Sequence, residues 1–308
     1  MARFAIAVAL TLSASAQTCD INAAQPWIQH WLGAWNFTSR QILHLPDAPL
    51  PNIIFFDNTC VYTNVGGKWH ATPHGGTITL PNKKTVPVQL MSFADADEKS
   101  GPFFVMAAPE FWKQAVHAQE PGLTAVFLHE FSHTRQFAGM AAVIGPIDKA
   151  WKGPEELDDD IVQTRFGSNP DYVADYKAEY DLLLRAANAA SIDETRALAA
   201  QALDVMKKRR ARWFTGDNAV FVPLDSTWLS MEGAGQWTGY AWLSDPHGGG
   251  MTRADARKKM IGSGKHWTQD EGLVLFLVVD RLLPEWPTLV FHTPSMGALE
   301  LLERAVKP

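Results

Sequence analysis

Long apolar runs are missing from this chain of 308 residues. No segment reaches the roughly 20 uninterrupted apolar residues that a membrane-spanning helix needs. The nearest approach, "GLVLFLVVDRLL" at 272–283, is short and is interrupted by Asp280. Basic clusters are scarce too. Lys and Arg number 27 against 33 Asp and Glu, for a formal charge of -6. That balance argues against nucleic acid as the main partner. The one basic run, "KKRRAR" from Lys207 to Arg212, reads as the solvated end of a helix, where the helix dipole favours cations. Internal repeats and low-complexity linkers are absent, so one large domain or two packed lobes are expected rather than a string of modules. Cysteine is almost absent. Two residues allow one disulfide, Cys19–Cys60, which would tie the N-terminal segment to the body in an oxidising compartment.

What is present begins at the N-terminus. "MARFAIAVALTLSASAQTCD" has one positive charge, an apolar stretch from Phe4 to about Leu12, and Ala14 and Ala16 in an A-x-A arrangement. It reads as a signal peptide over residues 1–16, cleaved after Ala16, and so implies a secreted or periplasmic protein. "AQTC" lacks the apolar residue three positions before the cysteine that a lipoprotein would need. Apolar residues make up 46% and charged residues 19%, ordinary for a globular chain. Twelve tryptophans are read as core filling.

Residues 17–120 carry strand-like text: "NIIFFDNTCVYTNV", "GGKWHATPHGGTITL", "KTVPVQLMSF" and "GPFFVMAAPEFW", separated by turn residues. A short helix near "AAQPWIQHWLGAW" precedes them. Residues 121–308 switch to helical spacing. The first helix, starting at Pro121, carries Val126, Phe127, Phe131 and Phe137 and is expected to stop at Gly145-Pro146. The acidic "KGPEELDDD" follows as a solvated helix start, its spacing wrong for a calcium loop. Further helices are expected at 170–189, 192–213, 226–243, 252–260 and 268–283, with a last short one in "SMGALELLERAV". The fold class is therefore α+β: a small, mainly antiparallel sheet packed on a helix, then a mostly helical lobe.

On that first helix lies "HEFSH". His129 and His133 are four apart and share one face, where two imidazoles can reach one Zn²⁺ ion. Glu130 points about 100° around the helix, off the ligand positions but within reach of a zinc-held water whose proton it could take. The bland alternative is two half-buried histidines paired to a carboxylate. His70 and His74 have the same spacing in turn-rich text, where it has no helical meaning.

The motif, with its apolar lead-in and the strand before it, resembles the zincin metallopeptidases. That resemblance implies an active-site helix under a twisted sheet, an edge strand that holds an extended peptide or protein substrate, and a zinc cofactor. "GPFFVMAAPEFW" is the expected edge strand. The extended "HExxHxxGxxH" signature is missing, because Gln136 and Gly139 occupy its last two positions. The gluzincin pattern, with a glutamate ligand from a later helix, remains. Glu179 is preferred as that ligand: it interrupts an otherwise apolar helix face, an awkward place for an unpartnered acid. Leu183 stands where some gluzincins carry an aspartate. Glu232, beside small residues in "WLSMEGAGQWTGYAW", is the alternative ligand. Asp175, Asp181 or Glu232 could orient a histidine, and Tyr240 or His247 could donate to an oxyanion. The expected activity is a zinc peptidase with Glu130 as general base. The alternatives are a non-catalytic secreted binding protein with a structural or vestigial zinc site, and a hydrolase of a non-peptide amide or ester.

Overall fold

The computed structural model describes residues 18–97, 99–262 and 264–307. The expected signal peptide lies outside the described residues. Helix α1, Ile21–Phe37, starts on the Asp20 carboxylate, which accepts a hydrogen bond from the Asn22 N–H. It buries Ala24, Ile28, Trp31 and Trp35, one per turn, and is longer than the short helix expected.

Seven strands follow: β1 Asn52–Phe56, β2 Cys60–Thr63, β3 His70–Pro73, β4 Thr77–Thr79, β5 Thr85–Pro87, β6 Ser92–Asp97 and β7 Gly101–Ala107. Five make one sheet in the order β3-β2-β1-β7-β6, and β4 and β5 pair separately. Antiparallel pairing dominates as expected, but β1 and β7 run parallel, with Asn52 opposite Phe103 and Phe56 opposite Ala107. Apart from Asn52, these two strands are apolar because both of their faces are covered. Ile53, Phe55, Phe104 and Met106 meet α1 and the long helix of the main core. Alternate residues Ile54, Phe56, Phe103 and Val105 meet Ile78 and Leu80 on the other face. Cys19 and Cys60 form the expected disulfide, joining the segment before α1 to β2.

The strand reading of "GPFFVMAAPEFW" needs two corrections. It ends at Ala107, because Pro109 opens helix α2, Pro109–Val116, with Pro in the first turn. It is also interior, between β1 and β6, so the edge strand beside the long helix is β6.

The long helix α3 covers Gly122–Ala150, with Pro121 just before it. It runs past Gly145-Pro146 rather than stopping there. Pro146 removes one backbone donor, but Ile144, Ile147 and Trp151 pack against a second apolar cluster. The Trp151 N–H closes the last turn on the Ile147 carbonyl at 2.8 Å. The remaining helices are α4 Ile161–Phe166, α5 Pro170–Asn188, α6 Ile192–Trp213, α7 Phe221–Ser244, α8 Arg253–Met260, α9 Trp267–Leu282, α10 Trp286–Val290 and α11 Ala298–Ala305. Among the described residues no helix is long and apolar enough to cross a membrane.

Helix α7 is the axis of this half, packed between α3 and α9. Its glycines set the spacing. A Cβ at Gly233 would stand 2.7 Å from the Gly272 carbonyl of α9, and one at Gly235 would stand 2.8 Å from the His133 ring on α3. Any larger residue at either position would push the helices apart.

Candidate metal centre

His129 and His133 occupy successive turns of α3 and are both buried. Their ring centroids are 4.8 Å apart with planes at 84°, so the edges converge rather than stack. They converge on Glu232 of α7. Its carboxylate lies 3.1 Å from His129 Nε2 and 3.4 Å from His133 Nε2. The three donor atoms fall within 4.8 Å of one another. The close approach at Gly235, three residues beyond Glu232, is what brings α7 near enough to deliver that acid.

Each donor is oriented from behind. The His133 Nδ1–H donates to Gln136 Oε1 at 2.9 Å. This puts the proton on Nδ1 and leaves Nε2 as a lone pair facing the cluster. That Nε2 has no hydrogen-bond partner, although it is buried. On α9, the Gln269 side chain bonds to Glu232 and accepts from Gln236 Nε2 at 3.0 Å. Gln136 was legible, being one turn from His133 on the same face. Gln269 had no sequence signal, since nothing local links α9 to α7.

The electrostatics ask for a cation. Burial pushes His133 down to about 4, so it stays neutral near pH 7. Burial also opposes charge on His129, but Glu232 overcomes it and raises the pKa. Burial would raise Glu232 as well, yet the two histidines pull it down to about 2. Glu130 is half-buried and is pushed up to about 8, chiefly by desolvation and then by Glu232 and Asp159, against the pull of His129. Asp159, on the loop before α4, is pushed up to about 7 by burial and by Glu232. Three carboxyl groups therefore share a poorly solvated region with no permanent cation among the described residues. A divalent ion fits this donor set: two imidazole nitrogens and one carboxylate, with a buried lone pair unsatisfied.

The acidic "KGPEELDDD" run is thus more than a solvated face. Asp158 is exposed, but the Asp159 carbonyl accepts from Thr268 Oγ1 at 2.6 Å and Asp160 pairs with His266 at 2.8 Å. Those bonds pin the loop to the start of α9.

The structure does not bring Glu179 to the histidines. It is fully buried, as its position suggested, but its partner is Arg209, which donates to it from Nε at 2.7 Å and from Nη2 at 3.1 Å. The basic run is correspondingly split. Lys207 and Lys208 are exposed, whereas Arg209 and Arg210 are buried against Glu179, Asp225 and Glu271. Asp175 is bound by Arg212 and the Trp213 indole, away from the centre. Asp181 is exposed. Tyr240 lines a cavity at the far end of α7, and His247 is an exposed residue beside Asp245. Neither stands with the metal-type cluster. His74 is a loop residue that bonds to the Asp57 carbonyl, whereas His70, expected in a loop, opens β3 opposite Thr63 and bonds to the Lys68 carbonyl.

No family model matches this chain, and no curated protein or solved structure is significantly similar to it.

Proposed function

We propose that the protein is a metal-dependent hydrolase, a zinc peptidase in its simplest form, with His129, His133 and Glu232 as metal ligands. The supporting observation is the convergence of three buried donors beside an acid, Glu130, that is not one of them. Glu232 takes the ligand role that the sequence assigned to Glu179, because Glu179 is already neutralised by Arg209. Two nitrogens and one oxygen suit zinc, and three protein ligands leave a coordination position for a reactant. A zinc ion held there would lower the pKa of a water molecule to about 7 and polarise a substrate carbonyl.

Glu130 supplies the proton chemistry. It follows His129 in the chain and so projects around the helix from the ligand face. Its side chain is half-buried, open enough for solvent and reactant to reach. Ionised by a cation at the neighbouring ligands, it would take the proton of the attacking water and return it to the leaving amine. The edge strand β6 packs beside α3, and Ser92 at its start lies against Glu130. An extended peptide added to that edge would pass the acid. The N-terminal sequence and the Cys19–Cys60 disulfide fit export to an oxidising compartment.

The test is metal analysis combined with turnover of a broad peptide library. Glu130→Gln should retain metal and lose at least about 10²-fold in turnover. His129→Ala and Glu232→Ala should lose the metal. Full turnover in Glu130→Gln would overturn the mechanism.

A further inference from the structure

A second polar region lies at the C-terminal end of α7. A cavity of about 520 Å³ opens where the C-terminal turns of α5, α7 and α9 meet the start of α8. Arg253, Arg257 and Arg281 line it, against the two acids Asp245 and Asp280. The chain as a whole is acidic, so this excess of positive charge is local.

One oxygen of each acid in the cavity is engaged, and the charge of Arg253 also acts on Asp280. Asp280 Oδ1 accepts from the Trp286 indole at 3.2 Å, Asp245 Oδ1 from the His247 N–H at 2.7 Å, and Asn188 Oδ1 from Arg257. The donors are less occupied. Arg281 is held rigidly on the Ala186 and Ala187 carbonyls that end α5. Arg257 spends one nitrogen on Asn188. Arg253 has no hydrogen bond or ion pair among the described residues, and neither does the Tyr240 hydroxyl. Arg253 and Ala254 of the first turn of α8 also line the cavity, the turn itself being capped by Thr252 and carrying Asp255. Ile42, Trp237 and Leu277 give the remaining wall an apolar and aromatic character.

We propose that this cavity binds a small organic oxyanion, a carboxylate or phosphate carried on an apolar or aromatic body. Arg253 and Arg257 grip the anionic head, Tyr240 donates a third hydrogen bond, and the ring or chain lies on Trp237 and Leu277. Two guanidinium groups and a hydroxyl suit a multi-oxygen acceptor in donor number and charge. The site is separate from the metal centre. Tyr240 is eight residues beyond Glu232, about 12 Å along the helix axis.

Isothermal titration of the whole chain with phenyl phosphate, phenylacetate and the neutral 2-phenylethanol tests this. At least one anion should saturate at one site per chain, in the millimolar range or tighter, and the neutral compound should not. The tighter anion identifies the preferred head group. Arg253→Ala, a surface change that leaves the fold intact by circular dichroism, should weaken binding about 10-fold or more. Tyr240→Phe should weaken it a few-fold. Failure of both anions to saturate, equal binding of 2-phenylethanol, or unchanged affinity in Arg253→Ala would each overturn the assignment.

Discussion

Two buried polar clusters share helices α7 and α9 but balance their charge by different means. In one, Glu179 of α5, Asp225 of α7 and Glu271 of α9 surround Arg209 of α6, with Arg210 on Asp225 and the Tyr172 hydroxyl accepting from Arg209. In the other, Glu130 of α3, Glu232 of α7 and Asp159 surround two imidazoles. Guanidinium groups are permanent cations, and the first cluster has two for three acids. The third acid is neutralised by a proton: burial, and then Glu179 beside it, hold the Glu271 carboxyl well above the usual range, and it bonds to Glu179. Among the described residues the second cluster has no permanent cation: its charge is balanced only by protons on His129, Glu130 and Asp159, which an incoming ion can displace. A cluster complete in itself serves the fold, whereas one short of positive charge is suited to receive an ion.

The comparison breaks most visibly at Arg209. Arg209→Leu should strand Glu179 and cost about 3–5 kcal/mol by chemical denaturation, a loss that added zinc does not restore selectively. The second cluster should respond in the opposite sense. Zinc at about 1,000 times its Kd should raise wild-type stability by about 4 kcal/mol, and His129→Ala or Glu232→Ala should abolish the gain in the same thermal scan. A smaller effect is expected from residues that orient the donors. Gln136→Ala, which frees His133, should weaken zinc binding about 10–100-fold in competition with a chelator. Gly235→Ala should also weaken it, because its Cβ would meet the His133 ring at 2.8 Å.

The smallest effect concerns pH. Glu271 is raised above its ordinary 4.5, so the folded state holds its proton where the unfolded state has released it. Its contribution is therefore full below pH 4.5 and declines as the pH rises above that value. Glu179 is lowered, because Arg209 outweighs the cost of burial, so its contribution is present above 4.5 and lost as the pH falls. Glu271→Gln should change stability at pH 5 by less than about 1 kcal/mol. It should also flatten the decline between pH 5 and 8. An identical pH slope in wild type and variant would mean that Glu271 is not the neutral member of the cluster.

Local pattern carried much of the architecture. The expected helices at 170–189 and 192–213 are Pro170–Asn188 and Ile192–Trp213 in the structure, because caps at Asn169 and Ser191 and apolar spacing act over a few residues. The end of α3 was misjudged where packing of Trp151 outweighed Pro146. The place of "GPFFVMAAPEFW" was misjudged because sheet order depends on β1, some 50 residues earlier in the chain. At the site, the shared face of His129 and His133 and the offset of Glu130 follow from helix geometry alone.

The third carboxylate did not follow from it. Glu179 and Glu232 are both acids buried on apolar helices, and the small residues beside Glu232 permit close packing without saying which helix packs there. Sequence by itself determined that two imidazoles share one helix face, that sheet precedes helices, and that Cys19 has one partner available. Only the tertiary structure decided that Arg209, thirty residues away, claims Glu179, while Gly235 lets Glu232 approach the histidines. The physical reason is that a buried charge is defined by what lies across the packing interface from it, and that neighbour is set by helix–helix distance rather than by position along the chain.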